Sequence, residues 1–354
     1  MNYFKSITMS GTMAKKLLII GSNTIHTYKY IQLIEEYFDD ILLLTNKKNE
    51  DYDIGSIEVD FRLGFNILKS SKQIYTICKE FNPSIVHIHQ ANSYAFITLF
   101  ALRNVGIPKV LTAWGSDVLV NPKRSFLFRW LLQYGLKNID IATSDSLYMA
   151  HEMKNYSDNV DVRIANFGID IESAKGAKEK IIYSNRLHKS LYNIDKIIKN
   201  FSIFVKNHSD WKLVIAGVGD ETKKINRLVQ KLNIEASVEF IGWVDSKVNN
   251  EMYQKSSIYV SVPSSDATSI SLLEAIASNC ICFVSNLPAN CEHIVEGISG
   301  YIEPNLDKID FEKYLKINKD LLEDVNSRKK QSYLKEYNKK IFLGIYDELI
   351  KGEN

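Results

Sequence analysis

Apolar and polar positions along this chain follow a repeating scheme. Short runs of branched apolar residues are followed by stretches with apolar residues at helical spacing. In the first half the pattern predicts strands at Lys16–Gly21, Ile41–Thr45, Ser84–His89, Lys109–Trp114 and Asp140–Ser144. Helices are predicted over Ile25–Phe38, Asn66–Phe81, Tyr94–Asn104 and Ser125–Leu136. The second half repeats it, with strands at Lys180–Asn185, Lys212–Ala216, Val238–Ile241, Ile258–Val262 and Cys280–Ser285. Helices follow over Asn193–Lys206, Thr222–Leu232, Lys247–Ser256 and Thr268–Ala277. Runs such as Leu17-Leu18-Ile19-Ile20 lack polar alternation, which marks strands buried on both faces, hence parallel sheets covered by helices. The scheme halts over Val160–Lys180 and starts again. That break favours two doubly wound α/β domains over one (β/α)8 barrel. Gln331–Lys351 carries Tyr333, Tyr337, Ile341, Phe342, Ile345, Tyr346 and Leu349 at helical spacing, a stripe that packs on a sheet or a neighbouring domain.

Composition narrows the class. The chain has 354 residues, 45% of them hydrophobic and 24% charged, which fits a folded protein and excludes a disordered or collagen-like one. No run approaches the ~18 apolar residues of a membrane-spanning helix. Residues 1–13 are polar and lack the apolar core of a signal peptide, so a cytoplasmic location is expected. With 44 basic and 42 acidic residues the net charge is +2, too balanced for a dedicated nucleic-acid binder. Cys78, Cys280, Cys282 and Cys291 fit no common zinc spacing and read as buried thiols.

In open α/β sheets ligands bind beyond the carboxyl ends of the strands, so candidate chemistry lies where each strand ends. Val262-Pro263-Ser264-Ser265-Asp266-Ala267-Thr268-Ser269 leads into a helix. The free N–H groups of that helix start suit a phosphate, or Asp266 and Ser269 simply cap it. Asp266 and Glu274 are eight residues apart, roughly 12 Å along a helix, which suits two contacts on one extended ligand better than a carboxylate dyad. Arg186 and Lys189, after Tyr183-Ser184-Asn185, could neutralise the same diphosphate or form surface ion pairs. Gly217-Val218-Gly219 has two glycines of a Gly-x-Gly-x-x-Gly fingerprint, with Thr222 at the third place. It reads as a phosphate turn or a tight strand-to-helix turn. Gly242, Trp243 and Val244 end a further strand and could face a nucleobase. His87 and His89 share one side of their strand, as core or as site. Residues 121–138 hold Lys123, Arg124, Arg129 and Lys137 among Phe126, Phe128, Trp130 and Leu131. This stretch is a basic amphipathic helix that packs on its sheet or meets anionic lipid.

Taken together and in order, these pieces resemble the retaining glycosyltransferases of family four, which have the GT-B fold. Asn166-x-Gly168-x-Asp170 is similar to the inter-domain signature. Ala216-Gly217-x-Gly219, Phe240-x-Gly242 and Tyr259–Ser264 follow in family order. Asp266-x7-Glu274-Ala275 matches the Glu-x7-Glu motif with Asp first, and Ser285–Glu292, Glu296-Gly297 and Gly300-Tyr301 complete the match.

The resemblance implies two Rossmann-like domains facing a cleft. Residues 1–165 would bind acceptor and 166–330 the nucleotide sugar, with a helical end, 331–354, packing back on the first domain. It implies a catalytic set of Asp266 on the donor sugar, Arg186 on the phosphates and Glu274 on the ribose. Thr268, Ser269, Ile270, Ser271 and Leu272 would hold the diphosphate, with Gly21, Ser22, Lys189, Gly217, Gly242, Trp243 and Val244 completing the donor site. His89, Gly115, Ser116 and Asp117 would line the acceptor side. Trp114 stands where relatives carry a histidine, Asn185 where they carry glycine, and Leu191 where they carry a lysine. No metal or cofactor is implied, and a departing phosphate oxygen takes the acceptor proton. The implied activity is retaining transfer from a UDP-sugar, before a GDP-sugar, to a glycan or lipid-linked acceptor. This would serve polysaccharide or lipopolysaccharide synthesis, with peripheral membrane contact through 121–138 at the inner face of the plasma membrane. A nucleotide-sugar epimerase or hydrolase of the same fold, and a non-catalytic partner subunit, remain the competing readings.

Overall fold

The structure, a computed structural model, describes residues 14–52, 54–171 and 177–352. The polar start at 1–13 lies outside the described residues. The chain forms two compact units, one running to Phe167 and resuming at Asn338, the other spanning Gly168–Tyr337.

Unit 1 is built from β1 (Lys16–Ile20), α1 (Ile25–Ile34), β2 (Asp40–Thr45), β3 (Ser56–Glu58), α2 (Ile67–Phe81), β4 (Ile85–His89) and α3 (Ser93–Ala101). It continues with β5 (Lys109–Thr112), α4 (Ser116–Leu119), α5 (Asn121–Arg124), α6 (Phe126–Lys137), β6 (Ile141–Ser144), α7 (Leu147–Tyr156) and β7 (Val162–Ile164). The strands form one parallel seven-stranded sheet in the order β3-β2-β1-β4-β5-β6-β7. Leu17 to Ile20 are fully buried, because helices cover both faces. Side chains of α2, α3, α6 and α7 fill the core on one face, and α1 packs on the other.

Unit 2 comprises β8 (Glu179–Ser184), α8 (Ile194–Phe204), β9 (Lys212–Ala216), α9 (Thr222–Leu232), β10 (Val238–Gly242), α10 (Ser246–Lys255) and β11 (Ser256–Ser261). Then come α11 (Ile270–Ala277), β12 (Ile281–Ser285), α12 (Pro288–His293), β13 (Gly300–Glu303) and α13 (Lys319–Tyr333). Its sheet is parallel, in the order β10-β9-β8-β11-β12-β13. Helix α8 shows why the periodicity is legible: Ile194, Ile197, Ile198, Phe201 and Phe204 form one buried stripe. Asn233 ends α9 in the left-handed region, at φ 54°, where asparagine is tolerated.

The helical end is two helices rather than one. Leu334 breaks it in extended geometry, and α14 (Lys335–Lys351) follows. Phe342, Ile345 and Tyr346 of α14 enter the core of unit 1 beside α1. There His87 is fully buried between Thr112 Oγ1 (2.7 Å from Nε2) and the Tyr346 hydroxyl (2.6 Å from Nδ1), a structural role. The halt expected over Val160–Lys180 contains β7, an edge strand of three residues. Cys78, Cys280 and Cys282 are buried thiols, whereas Cys291 is exposed, contrary to expectation, because it lies on the outer side of the short helix α12.

Candidate functional site

In both units the strand order reverses direction beside the first strand, and the crevice beyond the carboxyl ends at that switch is where such sheets hold ligands. In unit 2 the switch lies between β8 and β11. Arg186 follows β8, and the 264–269 loop follows β11. The Arg186 guanidinium donates to Asp266 Oδ2 at 2.6 Å and to Ser269 Oγ at 2.5 Å, with the ring of Tyr192 stacked 4.4 Å away. The two charged side chains are 11% and 24% exposed. Burial disfavours the charge on Arg186, yet neighbouring Asp266 lifts its pKa above the ordinary value. Burial raises the Asp266 carboxyl above its ordinary value, outweighing the pull of Arg186. The cation is therefore fixed at the opening of α11, where the helix N–H groups and dipole favour an anion.

Helix α11 starts at Ile270, two residues later than the sequence predicts, with Ser269 as its extended N-cap. Thr268 and Ser269 are buried, and Ile270 and Ser271 half-buried. Leu272, expected in the donor set, faces inward. Its side chain is in the apolar core and its N–H closes the first turn on the Ser269 carbonyl at 2.9 Å. Glu274 is half-buried one helical turn further on, and Asn249 Nδ2 donates to its Oε2 at 3.2 Å.

Sequence reasoning missed the polar network that holds this carboxylate. Asn249 Oδ1 accepts from the Tyr183 hydroxyl at 2.7 Å and from Asn185 Nδ2 at 2.9 Å. The Asn185 amide also reaches the hydroxyls of Tyr253 (2.8 Å) and Tyr259 (3.1 Å). Tyr183 and Tyr259 are register partners on neighbouring strands, so their rings emerge side by side. Burial holds all three phenols protonated, raising their pKa well above the ordinary value. The available signal was tyrosine in strands buried on both faces, where a hydroxyl needs a partner.

Of the remaining donor candidates, Lys189 is exposed and has no carboxylate partner among the described residues. Gly217 has φ 97°, and its N–H donates to the Gly242 carbonyl at 2.6 Å. Trp243 is 74% exposed and Val244 half-buried.

In unit 1 the switch lies between β1 and β4, followed by Gly21 and Ser22 and by His89's loop. A Cβ on Gly21 would touch the Cβ of His89 at 3.6 Å. His89 is fully buried, and Trp114 Nε1 donates to its Nδ1 across 3.4 Å. An indole N–H can only donate, so the ring proton sits on Nε2. Burial lowers the His89 pKa to about 3, so the ring is neutral. His89 Nε2 and Ser22 Oγ are buried without a hydrogen-bond partner among the described residues, which leaves two polar groups for a ligand to satisfy. Asp117, expected on the acceptor side, is buried. Its carboxylate accepts from the N–H groups of Ala91 (2.6 Å) and Trp114 (3.0 Å), which ties two loops together. Gly115 has φ 97° and Ser116 is exposed at the start of α4. Among the described residues no three His, Cys, Asp or Glu side chains group where a metal could sit.

Residues 169–341 match the family described as Glycosyl transferases group 1, and residues 15–146 match Glycosyl transferase 4-like. The chain belongs to the group 1 glycosyltransferases. The two parallel sheets are those of the GT-B fold. The crystal structure of Anabaena HepE in complex with UDP has the same fold, with TM-score 0.79 at 11% identity over 94% of this chain and 100% of that one. This glycosyltransferase is 25% identical to the N-acetyl-alpha-D-glucosaminyl L-malate synthase of Bacillus anthracis, over 67% of this chain and 65% of the relative. It is 21% identical to the alpha-monoglucosyldiacylglycerol synthase of Streptococcus pneumoniae, over 57% of this chain and 52% of the relative. The matched stretches thus span between about half and two thirds of these curated relatives.

Proposed function

We propose that this glycosyltransferase moves a hexose from a nucleoside-diphosphate sugar, UDP before GDP, to a hydroxyl of a glycan or lipid-linked acceptor. The product would enter cell-surface polysaccharide, lipopolysaccharide or another glycoconjugate, with the enzyme working from the cytoplasm. The observation that carries the reading is the Arg186 guanidinium held between Asp266 and Ser269 at the opening of α11. UDP in a relative of the same fold, and a glycolipid synthase among the curated relatives, support the donor base and the acceptor class.

The chemistry follows from the charges. Breaking the bond between the anomeric carbon and the diphosphate builds negative charge on the leaving oxygen. A fixed guanidinium and a helix N-terminus stabilise that charge without reorganising. No metal or cofactor is needed in this reading. Asp266 accepts from a hydroxyl of the donor sugar, and Glu274, held by Asn249, accepts from the ribose. Within unit 1, taken by itself, His89 Nε2–H and the Ser22 hydroxyl are unspent polar groups suited to an acceptor hydroxyl. The acceptor oxygen bonds to the anomeric carbon on the face the diphosphate leaves, and its proton passes to the departing phosphate oxygen. Configuration is therefore retained, and no side-chain base is required.

The test is incubation with UDP-, GDP- and ADP-sugars and a lipid acceptor, reading nucleotide release and the anomeric coupling of the product by NMR. UDP release with an unchanged anomeric configuration is expected. Inversion would overturn the same-face step. Thermal stabilisation by UDP with no turnover on any donor would favour the non-catalytic subunit.

A further inference from the structure

We propose that the outward side of α5 and α6 is a docking surface for an anionic lipid bilayer. The inference deepens the proposed acceptor reading and rests on it only for its use. Helix α6 buries Leu131, Leu132, Gly135 and Leu136. At about 100° per residue the opposite side carries Phe126, Trp130 and Lys137. A solvated helix places polar residues there. Instead Phe126 is 84% exposed, Leu127 50% and Trp130 42%. Trp130 is held by stacking on Tyr134 and by Phe96, at centroid distances of 5.7 and 5.1 Å. Its wide ring is thus presented at little entropic cost, and Trp and Tyr favour the headgroup level of a bilayer.

Charge selects the occupant. Residues 121–138 contain Lys123, Arg124, Arg129 and Lys137 and no acid. Lys123 engages Glu152 of α7 at 2.8 Å. Arg129 lies over the Tyr156 ring. Arg124 has no carboxylate partner among the described residues. A second copy seated on this side by two-fold symmetry would set like charges against each other. Anionic headgroups complement the basic collar while the aromatics enter the interface. A further exposed apolar pair, Phe65 and Leu68, lies at the start of α2. Crossover helices on one face of a parallel sheet run antiparallel to its strands. The starts of α2 and α6 therefore lie at the same carboxyl edge of the sheet.

The test is co-sedimentation with vesicles of phosphatidylcholine, with or without roughly a quarter phosphatidylglycerol. Binding to the anionic vesicles is expected, severalfold weaker at high salt. Arg124→Glu should lower it about fivefold or more. The Phe126→Ser/Trp130→Ser double variant should lower it at least as much, with circular dichroism and UDP-induced thermal stabilisation unchanged. Equal binding to neutral vesicles, wild-type binding by the variants, or no vesicle binding would overturn the proposal. So would a dimer in light scattering that Phe126→Ser dissociates. Vesicle binding without any response to UDP would leave the surface standing and sink the donor reading instead.

Discussion

Replacing Asp266 by Asn should tighten UDP binding while slowing transfer. In the free protein the Arg186 guanidinium is already engaged by the Asp266 carboxylate at 2.6 Å. The pair carries no net charge, so an incoming diphosphate meets a cation whose field is half cancelled. A phosphate oxygen sharing that guanidinium at about 2.8 Å would sit roughly 5 Å from the Asp266 oxygens. At an effective dielectric near 20 the repulsion is about 3 kcal/mol per unit charge. Asp266 retains some solvent access, so about half of that, ~1.5 kcal/mol, is a safer lower figure. Asn keeps the shape and an oxygen for Arg186 but removes the charge. UDP affinity should therefore rise ten- to a hundredfold in isothermal calorimetry. Transfer should fall, because the amide is a weaker acceptor for the donor-sugar hydroxyl. The carboxylate's pKa is raised on folding, so its ionisation costs stability as pH rises through the folded value. Asn also abolishes that cost, and the melting temperature at neutral pH should not collapse. Unchanged or weaker UDP binding by a folded Asp266→Asn protein would refute the competition argument.

Glu274→Ala should weaken UDP binding by about 1.5–3 kcal/mol, the loss of a hydrogen bond to a charged acceptor. Titration with a deoxyribose analogue should show no such difference, and equal losses on both ligands would remove the ribose role. Gly217→Ala should destabilise unit 2 by about 1–3 kcal/mol, since φ is 97° and the new Cβ would lie 2.8 Å from the Arg186 carbonyl; an unchanged melting curve would count against it. Burial depresses the pKa of His87 and His89, the latter to about 3. Their contribution is present above the unfolded value near 6.5 and is lost as pH falls toward the folded values. Stability of unit 1 should drop by about 1.4 kcal/mol per pH unit per histidine below pH 6, and a flat denaturation midpoint down to pH 4 would contradict the burial. Turnover should survive chelation by EDTA; its loss, restored by a divalent ion, would overturn the reading in which Arg186 and α11 suffice.

The parallel sheets were legible because their strands are buried on both faces, which strips them of polar positions. Lys212–Ala216 and Thr222–Leu232 coincide with β9 and α9 residue for residue. The strands that escaped, β3, β7 and β13, are edge strands of three or four residues, too short for a periodicity to declare itself. At the site, Arg186, Asp266 and Ser269 could be named from their place after strands, since loop positions at those ends carry chemistry. Their mutual contact could not, because it joins residues about 80 positions apart. Asp117 shows the converse. A carboxylate after a strand looks the same in sequence whether or not backbone N–H groups tie it down, as those of Ala91 and Trp114 do here.

The glycine turn at 217–219 shows what the incomplete fingerprint is for. A phosphate cradle needs unspent N–H groups. Gly217 gives its N–H to Gly242, and Gly219 gives its own to Thr222 Oγ1 at 3.0 Å, the residue standing where a third glycine would be. The turn therefore closes on itself and has no donor left for a pyrophosphate from these two positions. Its glycines are demanded from the other side. A Cβ at 217 would press on the Arg186 carbonyl at 2.8 Å, and one at 219 on the His188 carbonyl at 2.5 Å. Thr222 Oγ1 also meets His188 Nδ1 at 2.9 Å. Two loops are thus packed backbone to backbone, and the second fixes the path of the first. The glycines act through Arg186, by leaving its main chain room to run where the guanidinium reaches the start of α11.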